Sequence, residues 1–209
     1  MRASDGGSDL ARRIGDVRAE FHALDQAAYD AVATTPTPTL DRLMVSLSRA
    51  ANHSGLWLVG AAAVAAVGGG PGRRAAGQGV LAIGLASAMT NLGLKPLARR
   101  TRPWRSDDRP ATASRRVRRP KSTSFPSGHA ASAFAFASAV GEAAPKTWVP
   151  LHAAAGGVAY SRVHTGVHYP SDVAVGAVTG ALCAWTVRRL AAGLASGPRG
   201  RGECSDRHR

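Results

Sequence analysis

The apolar positions along this chain are periodic at first and continuous later. Between residues 10 and 33, Leu10, Ile14, Val17, Phe21, Leu24 and Ala28 recur three or four apart. That is the spacing of one helix face, so the stretch predicts an amphipathic helix that lies on a membrane face or caps a bundle. The run TTPTPT over 34–39 breaks it, and residues 40–51 form a second amphipathic stretch. Five apolar segments follow, at 55–70, 75–94, 130–141, 147–160 and 173–187. They are rich in Ala, Leu and Gly, too long for ordinary strands, and separated by Gly, Pro or basic breaks. The expected fold is all-α: a helical bundle of about five apolar, transmembrane helices plus N-terminal amphipathic helices.

A spanning helix wants ~20 predominantly apolar residues. The uncharged run at 75–94 meets that length and the others fall near it, their hydropathy lowered by Ala and Gly, which suit close helix packing in lipid. A soluble helical bundle is the alternative. Residues 1–9 are Gly, Ser and charge and read as disordered, 10–194 as a single domain, and 195–209 as a basic disordered tail. The first residues do not read as a secretory signal, so insertion is expected to come from internal segments.

Charge narrows the partners. A net charge of +14 and a pI near 11.4 call for something anionic: nucleic acid, a phosphate-bearing membrane or a phosphorylated substrate. The arginines crowd into 99–121 and the tail after Arg188, which is unlike a uniformly basic nucleic-acid binder. Cys183 and Cys204 offer neither a disulfide framework nor a metal-binding spacing.

Three short clusters carry the chemistry. In KPLARRTRP, Lys95 stands seven positions before Arg102, two helical turns, so both cations project from one face if the helix continues between them. Such a pair forms a phosphate clamp, or else snorkels at a basic helix end. In FPSGH, Ser127 is a candidate N-cap, Gly128 permits close backbone approach, and His129 falls in the first turn, beside the anion site of a helix N-terminus. Alone, a histidine at position 129 is more often a satisfied interfacial side chain. In SRVHTGVHYPSD, Asp172 can cap the last helix and orient the His168 imidazole, making His168 a nucleophile or base. The rival there is a metal site from His164, His168 and Asp172 at i, i+4, i+8, but Gly166 and Pro170 interrupt the helix that spacing requires.

The ordered pattern K-x6-RP, PSGH, SR-x5-H-x3-D resembles the signature of the type 2 phosphatidic acid phosphatase superfamily, which also includes bacterial acid phosphatases and vanadium haloperoxidases. No signature position departs from it. The resemblance implies that His168 attacks phosphorus to form a phosphohistidine while Asp172 holds its ring. It assigns proton transfer to His129, and the phosphoryl oxygens to Lys95, Arg102, Arg162, Ser127 and the backbone of Gly128. No metal or other cofactor is implied, and His53 and His164 fall outside the pattern.

The apolar segments point to the membrane branch. The expected activity is phosphatase action on a lipid phosphate, either a polyprenyl phosphate or diphosphate or phosphatidic acid. Partners would be that lipid and the bilayer, with no nucleic acid. The stretch SRAANHSGLW and the Ala/Arg-rich composition resemble actinobacterial members. Alternatives are a haloperoxidase-like or soluble acid phosphatase activity, or a non-enzymatic basic membrane protein binding anionic lipid or nucleic acid through residues 99–121. If all five segments span, alternation puts the loops holding the clusters on one side, expected to face away from the cytoplasm. The stretch 115–121 would meet headgroups or act as a lid.

Overall fold

The computed structural model describes residues 5–103, 115, 117, 118 and 120–195, and among them every regular element is helical. The polar N-terminal part makes α1 (Asp5–Thr34) and α2 (Pro38–Ala50), the latter opened by a proline, which has no N–H to leave unpaired in the first turn. Residues 5–9 lie in the first turns of α1, and residues 1–4 of the stretch expected to be disordered lie outside the described residues. The tail expected at 195–209 lies outside the described residues, apart from Ala195.

A 3-10 turn, Asn52–Ser54, leads into α3 (Gly55–Val67), and α4 (Gly69–Ala88) follows. α4 runs through a π-helical turn, Met89–Leu94, into the short α5 (Lys95–Ala98). α6 (Gly128–Ala143), α7 (Trp148–His164) and α8 (Pro170–Ala195) complete the bundle.

Composition sets the place of α6. Its sequence, GHAASAFAFASAVGEA, has Ala on every side, and over 130–141 every residue except Phe134 is buried. Small side chains let neighbours approach from all directions, and α8, α4 and α7 each pack along it. The approach of α8 is the closest. A Cβ on Gly180 would stand 2.2 Å from the carbonyl oxygen of Ala131, and one on Gly176 2.5 Å from that of Ser127, so only glycine fits at either position. On the other side Phe136 is fully buried, its ring 5.6 Å from that of Trp57. Truncating it to Ala would cost about 3–5 kcal/mol.

The outer faces of the apolar helices are apolar as well. Val59 and Val67 on α3, Leu81 on α4, and Val178, Leu182, Trp185 and Leu190 on α8 are all exposed, more than a soluble monomer usually leaves open. Gly69–Ala98 and Pro170–Leu194 are long and apolar enough to cross a membrane, and Pro38–Ala50 with Asn52–Val67, bent by 62°, is a third if the pair acts as one span. α6 and α7 have 16 and 17 residues, about 24–26 Å of helix against a hydrocarbon core of ~30 Å. Of the five apolar helices foreseen, two or three therefore reach span length. α1 turns Leu10, Ile14, Val17, Phe21 and Leu24 outward, each more than half exposed. Its other face lays Asp25 and Tyr29 against α7 and α8.

Residues 104–114, 116 and 119 of the arginine-rich segment lie outside the described residues, but Arg115 lies within them. It is buried, paired with Asp41 on α2 at 2.8 Å, and donates to the carbonyls of Val32, Ala33 and Thr35 at the end of α1. Those carbonyls have no partner inside the helix. Arg115 is thus a cap on the α1–α2 turn, neither the headgroup contact nor the lid expected for 115–121.

Candidate active site

The three clusters meet at one end of the bundle, where α6 and α8 begin and α7 ends. The expected route for the first cluster was a helix continuing from Lys95 to Arg102. Instead the helix stops at Ala98, Arg99 takes a left-handed φ of 26°, and an irregular segment carries the chain on. Arg102 reaches the site from that segment, and the loop geometry holds it there. Its guanidinium is 2% exposed and donates to the carbonyls of Ser122 (2.9 Å), Thr123 (3.0 Å) and Val167 (2.5 Å).

Arg102 Nη1 also lies 3.3 Å from His168 Nε2. An arginine only donates, so Nε2 must be the accepting nitrogen and the ring proton sits on Nδ1. Nδ1 faces Asp172 Oδ2 at 3.5 Å, long for a hydrogen bond and within ion-pair reach. The tautomer follows from these two contacts together: lone pair toward the cations, N–H toward the carboxylate. Burial, reinforced by Arg102 and Arg162, lowers the His168 pKa to about 4, with Asp172 pulling the other way. The imidazole is neutral at physiological pH.

Asp172 is fully buried and held on every side. In the third position of α8 it accepts from the backbone N–H of Tyr169 at 2.9 Å, the reciprocal arm of a capping box. It also accepts from the Ser124 hydroxyl and, at 2.9 Å, from Arg100. Its carbonyl takes the N–H of Ser127 at 2.9 Å, which joins the start of α8 to the start of α6.

Ser127 is the N-cap of α6, its hydroxyl accepting from Ala130 N–H at 3.5 Å. Lys95 lies over this helix start: a Cβ built on Gly128 would be 3.8 Å from Lys95 Nζ. Asn91, in the π-helical turn, accepts from Lys95 Nζ at 2.8 Å. His129, one residue further into α6, has Nε2 3.0 Å from Asn52 Oδ1. From α7, Arg162 donates to the Ser48 hydroxyl at 2.5 Å and stays 3% exposed. Its buried Nε–H has no partner among the described residues.

His164 is turned elsewhere, with Nε2 2.8 Å from Asp41 Oδ1. It does not join His168 and Asp172 as the i, i+4, i+8 reading required, and the helix carrying it ends at His164. Among the described residues, no group of three or more His, Cys, Asp and Glu is placed to hold a metal. Around His129 and Asp172, four contributors escaped the sequence reading: Asn52, Arg100, Ser124 and Asp25, a carboxylate on α1 that pairs with Arg100 at 2.5 Å. Arg100 was discoverable as a second arginine inside KPLARRTRP; the other three carry no local signal.

A profile of the PAP2 superfamily matches residues 76–194, more than half of the chain and every residue of the three clusters. The chain belongs to that superfamily. It is 46% identical over 92 residues to the decaprenylphosphoryl-5-phosphoribose phosphatase of Mycobacterium tuberculosis, in two strains, an overlap of 42% of this chain and 46% of the relative. The chain thus matches about half the length of those relatives. Among solved structures it resembles Aquifex aeolicus LpxE, with TM-score 0.65, 22% identity, and 78% of this chain and 93% of that one covered. It also resembles a transmembrane PAP2 type phosphatidylglycerolphosphate phosphatase from Bacillus subtilis, with TM-score 0.63, 21% identity, and 86% and 90% covered. These likenesses extend the fold beyond the matched residues, over most of the bundle.

Proposed function

We propose that the protein is a membrane phosphatase that removes a phosphoryl group from a lipid phosphate through a phosphohistidine on His168. The observation that carries this reading is the contact of Arg102 with His168 Nε2 at 3.3 Å. It marks Nε2 as the ring nitrogen free of a proton and sets Arg102 beside it, where the guanidinium would shift onto an oxygen of the phosphoryl group that Nε2 attacks. Lys95, Arg102, Arg162 and the α6 N-terminus at Ser127 and Gly128 supply donors for its oxygens, and the unpartnered Nε–H of Arg162 is one such donor.

His168 Nε2 forms the N–P bond as the P–O bond to the lipid breaks, and His129 gives the departing oxygen its proton. Water then attacks phosphorus, His129 takes the water proton, and the N–P bond breaks to release phosphate. Asp172 stabilises the positive ring that exists between the two steps.

The mycobacterial relatives suggest a polyprenyl-phosphoryl sugar phosphate as substrate, with polyprenyl diphosphate and phosphatidic acid as the comparators. Several membrane helices and an extracytoplasmic site complete the reading. The end of the bundle opposite the site carries Arg73, Arg74, Lys146, Arg188 and Arg189, and once the site cations are set aside as phosphate ligands, the positive-inside rule places that end in the cytoplasm.

The test is phosphate release by detergent-purified protein from these three substrates, in chelator, for the parent and His168→Ala. Label from a 32P-labelled substrate, quenched in alkaline denaturant because the N–P bond is acid-labile, should remain on the parent and be absent from the variant. Undiminished release by His168→Ala would sink the mechanism.

A further inference from the structure

The carboxylate that orients His168 is itself attached to a second carboxylate, through an arginine that no signature position contains. Arg100 donates Nη1–H to Asp172 Oδ1 at 2.9 Å and to Ser171 Oγ at 2.7 Å, and Nη2–H to Asp25 Oδ2 at 2.5 Å. Nη2 also lies 3.3 Å from His22 Nδ1, and the guanidinium stacks 4.2 Å from the centre of the Tyr169 ring. Asp25 takes, in addition, the backbone N–H of Ser171 at 2.9 Å and its hydroxyl at 2.6 Å. Asp25 therefore satisfies a free N–H in the first turn of α8 while neutralising the arginine beside Asp172.

We infer that Asp25 and Arg100 are positioning residues for the reaction, a relay that fixes Asp172 and keeps its negative charge available to His168. The inference rests on His168 being the nucleophile. Charge alternates along the chain of contacts: Asp25 negative, Arg100 positive, Asp172 negative, and a positive ring on His168 once phosphorus is attached. With Asp25 removed, the Arg100 charge would fall on Asp172 alone and cancel the field that stabilises that ring. Asp25 thus supports the imidazolium from a helix outside the signature, 147 residues before Asp172.

Substitutions separate this role from a purely structural one. Asp25→Asn keeps an oxygen for the Ser171 N–H but loses the charge, whereas Asp25→Ala loses both. On phosphatidic acid and polyprenyl diphosphate, Asp25→Asn is expected to lower kcat about tenfold with KM within about twofold, in the range of outer partners of active-site groups. Its thermal midpoint should stay within a few degrees of the parent's.

The acid limb of its kcat/KM profile should move down by ~0.5 unit, because a negative charge behind His168 is gone. The charged groups facing His168 are Arg102 from the preceding segment, Arg162 from α7 and Asp172 from α8, with His129 across the site, and none is altered. Asp25→Glu should restore most of kcat. In an Arg100→Gln background, Asp25→Asn should cause no further loss, since Asp25 acts through Arg100.

If His168→Ala is inactive while Asp25→Asn matches the parent in kcat and acid limb, the relay is wrong and the phosphohistidine reading stands. Full losses of both single variants that add in the double variant would likewise overturn the relay. If His168→Ala keeps activity, or the parent releases no phosphate from any of the three lipids, the underlying reading fails and takes the relay with it.

Discussion

His164 ends α7 and His168 follows four residues later, and each meets a buried aspartate that also pairs with an arginine. At the first corner the partners are Asp41 and Arg115; at the second they are Asp172, Arg100 and Arg102. Residue types do not distinguish them. The orientation of the ring does. His164 spends Nε2 on its aspartate, and its Nδ1 has no partner among the described residues. His168 turns Nδ1 toward its aspartate and leaves Nε2 facing Arg102, with the α6 N-terminus and Lys95 nearby. A carboxylate behind the ring and cations in front suit the nucleophile proposed for His168. A carboxylate shared between a ring and an arginine that caps another helix makes a latch, here holding α1, α2 and α7 together.

The comparison breaks most easily at the two histidines. His168→Ala should lower phosphate release by ~10^4-fold or more, as removal of a nucleophile does elsewhere, with little change in thermal midpoint. His164→Ala should keep kcat within severalfold and instead lose about 1–3 kcal/mol, the cost of a buried hydrogen bond left unmade, since Asp41 stays paired with Arg115. Release assays and thermal unfolding in the same detergent check both, and a dead but stable His164→Ala would erase the distinction.

The arginines sharpen it next. Arg102→Ala should cost about 10^2–10^3-fold in kcat/KM, the worth of one transition-state donor, while Arg115→Ala should lower stability and spare turnover. His129→Ala follows, at ~10^2-fold or more on a lipid alkoxide and visibly less on an activated aryl phosphate. Equal losses on the two leaving groups would remove its assignment as the acid.

The smallest effect is in pH. With the His168 pKa lowered to about 4 from an ordinary ~6.5, the ring stays neutral well into acid. Its contribution to the kcat/KM profile of the free enzyme should be flat down to about pH 5. The unfolded chain binds the proton first, so the stability contributed by neutral His168 is complete above about 6.5 and is lost as pH falls toward about 4. An acid limb near 6.5 in the kcat/KM profile of the parent would contradict this.

Much of this was legible in the chain. Helical periodicity at 10–33, the apolar runs and the breaks between them lead to an all-helical bundle, because amphipathic spacing and Gly/Pro punctuation are local properties. Ser127 as N-cap was readable from its place before Gly128, and Asp172 as a helix-start residue from its place after Pro170. Span length was less so, because α6 and α7 end at breaks several residues short of a bilayer.

By itself the sequence determined the residue types, their order and the local geometry at each helix end, since these depend on neighbours within a few positions. Tertiary structure decided what the same types do. Lys95 and Arg102 share a site through an irregular segment rather than a common helix face. Asn52 reaches His129 from 77 positions away, and Asp25 supports Asp172 through Arg100. Arg115 became a cap instead of a headgroup contact. Those assignments depend on which buried donor finds which buried acceptor once the helices pack, and no local pattern in the chain encodes that pairing.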